Sequence, residues 1–351
     1  MPETTTDTTA GAADEIVITD AAALAAIEHA ADRAHRGSVW LTAQRNSRSQ
    51  RVGRYVQESV AHPAKMLPEI VRHAIAQYTA PGDLVVDPMC GIGTTLVEAM
   101  HLGRRAVGTE YEARWTTLAE ANIALAHSQY APGDAQVFNA DARAILSAVP
   151  SEIHGTAALV ITSPPYGASL HGQVKPTAET GQSGVQKFDY RYSTDKGNLA
   201  HVKVSELIDG FAKILSGCRE LLRPGGVVVI TTRPWREHGE LVDLPGEVVA
   251  AGVRAGLEPI ERCVALLGGI RDGQFIARPS FFQLSNIRKE REAGQLQAVI
   301  THEDVIVLRR PLAAATTDRE PCADDCCPRS GDSAAESAAD AGDHLAGPDC
   351  E

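Results

Sequence analysis

No stretch of this 351-residue chain approaches the roughly 18 consecutive apolar residues of a membrane-spanning helix. A helical membrane protein is therefore excluded. The N-terminus also lacks a basic region: Met1 to Ala13 is acidic and rich in Thr and Ala, which excludes a secretory signal. The seven cysteines follow no framework spacing, and Cys90, Cys218 and Cys263 fall inside apparent strand or helix segments, so a disulfide scaffold is excluded. A reduced, cytoplasmic protein is expected. Cys322, Cys326, Cys327 and Cys350 lack the paired spacing of a zinc site, and no metal is expected. There is no internal repeat, and the length suffices for one large α/β domain or two modest ones.

Excess positive charge is missing as well. The net charge of −12 is confined to the ends: residues 1–36 carry −5 and residues 318–351 carry −8, leaving +1 on residues 37–317. Residues 37–72 hold six Lys/Arg against two acids. A near-neutral working domain with a basic leading segment neither excludes nor announces a nucleic-acid partner.

What is present is a regular alternation of strands and helices. Residues 1–36 read as a disordered and then short-helical acidic segment, with a helix from Asp20 to His35, and residues 37–61 as a basic segment. There Arg45, Arg48, Arg51 and Arg54 recur every third residue, either as a solvated surface or as a phosphate-contacting arm. From His62 the pattern predicts a helix over Lys65–Tyr78, a strand at Leu84–Val86, and a helix over Thr94–Leu102. A strand Ala106–Glu110, a helix Ala113–His127, and strands at Ala135–Phe138 and Ala157–Thr162 follow. Residues 167–200 read as a long substrate loop. Then come a helix Val204–Leu222, a strand Val227–Thr232, a helix Gly246–Gly256, and strands Arg262–Leu267 and Asp304–Leu308 around a small insert at 268–300. This predicts an α/β fold: a doubly wound, Rossmann-like, mostly parallel sheet over residues 62–310 with an antiparallel edge hairpin. Residues 311–351 read as a disordered acidic tail.

Two strand-end loops carry chemistry. In Asp87-Pro-Met-Cys-Gly-Ile-Gly-Thr-Thr95, Gly91 and Gly93 permit a tight turn and close approach of a ligand, with the donors of a helix N-terminus behind them. Glu110 closes the next strand 23 residues after Asp87, near the roughly 20-residue spacing at which such an acid binds ribose hydroxyls. Asp141 closes the third strand, where it could accept from an adenine amine. The candidate cofactor-binding set is therefore Asp87, Pro88, Cys90, Gly91, Gly93, Thr94, Thr95, Glu110 and Asp141. The short loop, running straight into Thr-Thr, leaves less room for a pyrophosphate than the longer turn of a nicotinamide site, and the alternative to cofactor binding is a tight turn whose glycines serve packing only.

The second loop is Ser163-Pro164-Pro165-Tyr166, directly after a buried strand. Two prolines remove two donors and hold the carbonyls rigid. Ser163 Oγ and the Pro164 carbonyl would accept the protons of a ring amine and help it pyramidalise toward a methyl donor. Tyr166 offers a stacking face to an extruded base. The alternative is a Pro-Pro turn that only caps the strand.

This pairing resembles the DNA amino-methyltransferases, which methylate cytosine at N4 or adenine at N6. His62-Pro-Ala-Lys-Met-Leu-Pro68 resembles that family's segment before the cofactor loop, and Asp87–Thr95 resembles its DPF-GSGTT-type loop with Met89 and Cys90 as departures. Ser163–Tyr166 is similar to its SPPY variant, and the motif order to its γ group. The resemblance implies S-adenosyl-L-methionine as cofactor, DNA as partner with cytosine N4 as the target, and Lys65 near the methionyl end of the cofactor. RNA guanine-N2 methyltransferases of the THUMP-bearing type use a related Pro-Pro-Tyr loop, but begin with an RNA-binding domain for which the 60 leading residues here are too few. A module that binds the cofactor and nucleic acid without turnover is a further alternative. A sizeable target-recognition domain is missing: the loop 167–200 and the insert remain. The insert contains Arg271, Arg278, Arg288, Lys289 and Arg291 beside Phe281 and Phe282. Arg233-Pro-Trp-Arg236, His171 and His302 are further candidates for the substrate cleft.

Overall fold

The computed structural model describes residues 37–164, 173–175, 186–188, 199, 204–237, 240–279 and 281–312. The sequence expectations for residues 1–36, for Pro165, Tyr166 and His171, and for the tail beyond 312 lie outside these.

An eight-stranded sheet organises the fold. Its parallel heart is β2 (Leu84–Asp87), β3 (Arg105–Glu110), β4 (Asp134–Asn139), β5 (Ala157–Thr162) and β8 (Leu222–Thr232), with β1 (Val39–Trp40), β11 (Glu258–Leu266) and β14 (His302–Arg309) beyond β8. The order across the sheet is β1-β11-β14-β8-β5-β2-β3-β4. Strand β2 pairs in parallel with both β3 and β5, so the connections diverge on either side of it. The strands β5 and β2 are buried throughout, as expected for parallel strands covered on both faces.

The expected antiparallel hairpin is present, formed by β11 and β14, and the finding beyond it is their order in the sheet. Strand β14 is antiparallel to both β8 and β11, and lies between them. Strand β11 therefore runs with the parallel set, and two-residue β1 extends the sheet beyond it in parallel. The sequence contains β11 and β14, but the order that sets β14 inside β11 depends on pairings across the 35 residues between Leu266 and His302.

Helices cover both faces. On one lie α2 (Pro68–Tyr78), α3 (Thr94–His101) and α4 (Ala113–Ser128); on the other α5 (Ile145–Ala148), α6 (Val204–Leu221) and α7 (Leu244–Arg254). The first core joins Trp40, Ile70, Ile75, Leu96, Met100 and Trp115 to the sheet, the second Phe211, Ile214, Leu221, Val248 and Leu308. The helix expected from Lys65 begins at Pro68, its first residue. Proline suits that position because its missing N–H would have no partner there, and the residue before it disfavours helix. Two further differences concern boundaries. Arg223-Pro-Gly-Gly226 lies within β8, the expected long loop holds an antiparallel pair, β6 (Gln173–Lys175) with β7 (Gln186–Phe188), and β9 (Trp235–Glu237) pairs antiparallel with β10 (Glu240–Val242). No helix of the described residues is long and apolar enough to cross a membrane.

Residues 37–61 do not form a free basic stripe. A short helix α1 (Ser47–Arg51) is capped by Asn46, whose side chain accepts from the Ser49 amide. Gln50 is buried, donating to the Thr42 and Arg45 carbonyls and accepting from the Glu69 amide at the start of α2. Arg54 turns inward to Glu98 of α3, a fully buried carboxylate that Arg54 meets through Nε at 3.0 and 3.1 Å. Tyr55 donates its hydroxyl to the same carboxylate at 2.7 Å. Arg51 also points inward. The period of three failed to predict this because Glu98 lies 44 residues further on.

Candidate cofactor and substrate site

The site forms at the carboxyl ends of the strands, at the point of divergence beside β2, where ligands of open α/β sheets bind. Asp87 ends β2 and Ser163 follows β5 directly, and these two strands are neighbours. Glu110 ends β3, and Asp141 lies just beyond β4.

The cofactor loop is held from within. Asp87 is buried and accepts from Thr95 Oγ1 at 2.5 Å and from the Met89 amide at 3.1 Å. The Pro88 carbonyl accepts from Thr109 Oγ1 at 2.6 Å, and the Cys90 amide donates to the Thr109 carbonyl. Gly91 and Gly93 have φ of +55° and +79°, a region side chains rarely adopt. A Cβ at Gly91 would stand 2.9 Å from His62 Nε2, and one at Gly93 would stand 3.2 Å from the Cβ of Ala119. Both glycines are thus required by the turn and by packing against the protein itself. The expected tight approach is that of His62, whose ring also packs on Trp115 at 4.6 Å between centroids.

Glu110 is 1% exposed, accepting from the Gly91 amide at 2.9 Å through one oxygen and from the Glu112 amide at 2.9 Å through the other. Its carboxylate is thus fixed against the loop. Asp141 caps the turn 142–144 and is clamped by Arg143, which holds its carboxyl below the usual carboxylate range. Lys65 donates to the carbonyls of His62 and Val60. Burial, and next the Arg51 guanidinium, pull its amine down to about 7. Thr94 opens α3 and receives Arg51 Nη1 at 3.3 Å. Ser163 is half-buried and Pro164 buried.

These placements bring Lys65, the loop 87–95 and Glu110 to one end of the sheet, with Ser163 and Pro164 on the adjoining strand. Asp141 stands further along the same edge. Three residues went unrecognised in the sequence. The sequence reading gives Arg51 no role of its own beyond a basic series that is either a solvated surface or a phosphate-contacting arm. His62 was quoted as part of a motif and given no role. Glu303, the second residue of β14, faces the charge of Arg233 at the same edge; burial pushes its carboxyl up and Arg233 pulls it back. His302, by contrast, stands 3.9 Å from Asp304 at a half-exposed position. No spacing rule reaches Glu303, because only the insertion of β14 next to β8 brings it there.

Burial pushes the Asp87 carboxyl up to about 6, while the Thr95 hydroxyl and the Met89 amide pull it back. Its folded value therefore exceeds its unfolded one. Its stabilising contribution is full below about pH 4 and is lost as the pH rises through about 6. Asp87→Asn removes that dependence. In urea denaturation, the variant is expected to gain on the order of 2–3 kcal/mol relative to the parent between pH 4 and pH 7. Parallel pH profiles for the two proteins would refute this assignment.

The sheet order and these loops define the class: a Rossmann-like fold of the S-adenosyl-L-methionine-dependent methyltransferase type. Residues 12–121 match the family described as DNA methylase, and the cofactor loop lies in the matched region. Over that segment the chain resembles the DNA amino-methyltransferase family. It is 29% identical over 109 residues to a tRNA (guanine(10)-N2)-dimethyltransferase of Methanothermobacter thermautotrophicus, covering 31% of this chain and 30% of that protein. It is 32% identical over 83 residues to the type II methyltransferase M.BglII of Bacillus subtilis, covering 24% and 21%. The matches thus span about a third or less of these relatives' own length. Among solved structures, TrmN from Thermus thermophilus is 16% identical with a TM-score of 0.40, covering 72% of this chain and 51% of that one. That likeness is too loose to bear on function.

The family and class imply S-adenosyl-L-methionine as methyl donor. The residues fit it: a left-handed glycine loop, a helix N-terminus, a fixed carboxylate at the end of β3, and a buried guanidinium nitrogen, Arg51 Nε, with no acceptor among the described residues.

Proposed function

We propose that the chain is an S-adenosyl-L-methionine-dependent N-methyltransferase acting on an exocyclic amine of a nucleobase in DNA, with cytosine N4 as the target. The observation that carries this reading is the adjacency of β2 and β5, which sets Ser163 and Pro164 beside the loop 87–95. The donor, when bound, supplies a methyl group on a sulfonium whose charge is lost on transfer. Glu110 accepts from ribose hydroxyls, and Asp141 from the adenine amine. Pro88, Cys90, Gly91, Gly93, Thr94 and Thr95 form the loop wall, which Asp87 braces from within. Lys65 lies toward the amino-acid end.

Ser163 Oγ and the Pro164 carbonyl accept the two protons of the target amine, turning its lone pair out of the ring and toward the methyl group. Pro165 keeps that carbonyl rigid, and Tyr166 stacks on the extruded base. One amine proton leaves to water after transfer. Most of the rate comes from positioning.

The insert favours duplex DNA as the polymer. It leaves the ligand edge after β11 as a hairpin, β12 (Gly268–Arg271) and β13 (Gln274–Ala277), around an Asp272-Gly273 turn with positive φ at both residues. Ile270, Phe275 and Ile276 are each more than 40% exposed on it, beside exposed Arg271. Helix α8 (Phe281–Glu292) adds exposed Arg288, Lys289 and Arg291. A two-stranded ribbon enters the major groove of B-form DNA, whereas the deep, narrow groove of A-form RNA does not admit it.

The match to the archaeal tRNA enzyme supports RNA guanine N2 as a second reading. Incubation with labelled donor and single-stranded DNA, duplex DNA or total tRNA, followed by nucleoside analysis, separates the two. N4-methylcytosine in DNA is the expected product. N6-methyladenine would move the target within DNA, and N2-methylguanine in tRNA alone would replace DNA by RNA. Donor binding without any methylated product would sink the enzyme reading.

A further inference from the structure

Three polar side chains line up across β5, β8 and β14 at the ligand edge. Successive residues of a strand point to opposite faces, and residues level on neighbouring strands share a face. Ile161 of β5, Val229 of β8 and Val305 of β14 belong to the core on the face that carries Cys90 and Ile92 of the loop 87–95. Val160, Val228, Ile230 and Ile306 belong to the opposite core. Two residues beyond Ile161 and Val229 stand Ser163 and Thr231. Two residues before Val305 stands Glu303, since β14 runs the other way. Thr231 is level with Val305, and Ser163 follows the pair of Thr162 with Ile230, which brings it level with Thr231. Glu303 lies diagonally from Thr231, a separation that a long side chain spans. Ser163, Thr231 and Glu303 thus form one row on the face of the loop 87–95.

Thr231 is fully buried, and its Oγ1 has no partner within hydrogen-bond distance among the described residues. A buried hydroxyl in that state is costly unless an acceptor draws its proton. The carboxylate it faces is that of Glu303. Burial holds this half-buried carboxyl above its ordinary range, and the Arg233 charge and the Thr231 hydroxyl pull it back. On β11 the residue opposite Glu303 is Ala265, two residues from Cys263, whose thiol burial pushes up to about 11. Beyond Ala265 stands Trp40 of β1, packed on His73 of α2 at 4.3 Å between ring centroids. His302 and Asp304 alternate to the other face, where Arg262 holds Asp304. Toward β2 the same edge carries Asp87 and Lys65.

We propose that Glu303 takes up the proton released by amine methylation, through the hydroxyls of Thr231 and Ser163. This rests on the reading of Ser163 as the acceptor for the target amine. The amine lone pair forms the N–C bond as the S–C bond breaks, and the S–C pair stays on sulfur, which leaves the nitrogen cationic. That nitrogen gives a proton to Ser163 Oγ. Ser163 passes its own to Thr231 Oγ1, and Thr231 passes its own to the Glu303 carboxylate. The carboxyl then releases the proton to water. A serine hydroxyl cannot keep an added proton, and the row supplies the base that it lacks. Ionised Glu303 is the active form.

The test is single-turnover methylation of duplex genomic DNA by the full chain at saturating donor, followed across pH. Glu303→Gln keeps the shape and an acceptor oxygen but not the basicity. It is expected to lower the rate roughly ten- to a hundred-fold near pH 7, up to the lower end of what general base catalysis contributes, with S-adenosylhomocysteine binding changed less than about two-fold. The parent rate should fall as the pH drops through the raised Glu303 value, and the variant should lose that limb. Asp87 and Lys65 titrate in both proteins, so the difference between the two profiles belongs to Glu303. Glu303→Asp should recover part of the rate. Thr231→Val should lose rate as Glu303→Gln does, and Thr231→Ser should restore it. Parent rate and parent profile in Glu303→Gln overturn the proposal. Loss of donor binding in step with the rate also overturns it, and makes Glu303 a support for Arg233. If Glu303→Gln fails to fold, Thr231→Val against Thr231→Ser decides by the same rate and profile. Parent protein that methylates neither DNA nor tRNA overturns the reading of Ser163 itself.

Discussion

Replacing Glu98 by alanine is expected to remove roughly 3–5 kcal/mol of folding stability, the usual cost of breaking a buried ion pair from one side. The Glu98 side chain is fully buried, and three groups converge on it: Arg54 Nε bound to both oxygens, the Tyr55 hydroxyl, and Arg72 at 3.4 Å. Removing the carboxylate leaves the inward-turned nitrogen of Arg54 and the Tyr55 hydroxyl without their acceptor. Burial and the Glu98 charge already hold the Tyr55 phenol well above its ordinary range, so it cannot ionise to compensate. Segment 45–56 is docked on α3 mainly by these contacts. Its proteolytic susceptibility should therefore rise along with the loss of stability. Urea denaturation measures the first effect and limited digestion the second. Glu98→Gln, which keeps an acceptor, should cost less. A loss under about 0.5 kcal/mol for the alanine variant would put the cluster among surface pairs of little energetic weight.

The second large effect concerns turnover. Tyr166→Ala is expected to lower methylation roughly ten- to a hundred-fold or more while donor affinity changes less than about two-fold, since base–aromatic stacking is worth about 1–3 kcal/mol. Tyr166 lies outside the described residues, but its anchor does not: Ser163 and Pro164 continue from β5, six residues that are all buried. The loop proposed to hold the donor is braced instead by Asp87 on β2, Thr95 on α3 and Glu110 on β3. Single-turnover methylation of the identified substrate and separate donor titration measure the two effects. Equal loss of both would dissolve the division between a donor-holding loop and a base-holding loop.

Much of the fold was legible because buried parallel strands declare themselves locally. The strand Ala157–Thr162 was read with its observed bounds, and the strands containing Val85 and Val107 were placed within a residue or two. Each is an apolar run ended by a polar loop, a signal that needs no distant partner. The antiparallel placement of β14 between β8 and β11 was not legible, because register across a sheet depends on pairing partners far away in sequence. The insert was read as irregular, although Asp272-Gly273 is a hairpin turn signal.

The candidate site divides along the same line. Sequence by itself marked Asp87–Thr95 and Ser163–Tyr166 as candidate loops and Glu110 as a candidate acid, because residue type and spacing along one strand–loop–helix unit suffice to single them out. Only the tertiary structure decided what surrounds them. It turned Arg51 and Arg54 inward from the basic series as partly buried cations, placed His62 against Gly91, and carried Glu303 to the ligand edge. A side chain's direction there is set by a partner tens of residues away, by Glu98 for Arg54 and by Met66 and Thr94 for Arg51. Local periodicity cannot encode a buried charge's choice of partner.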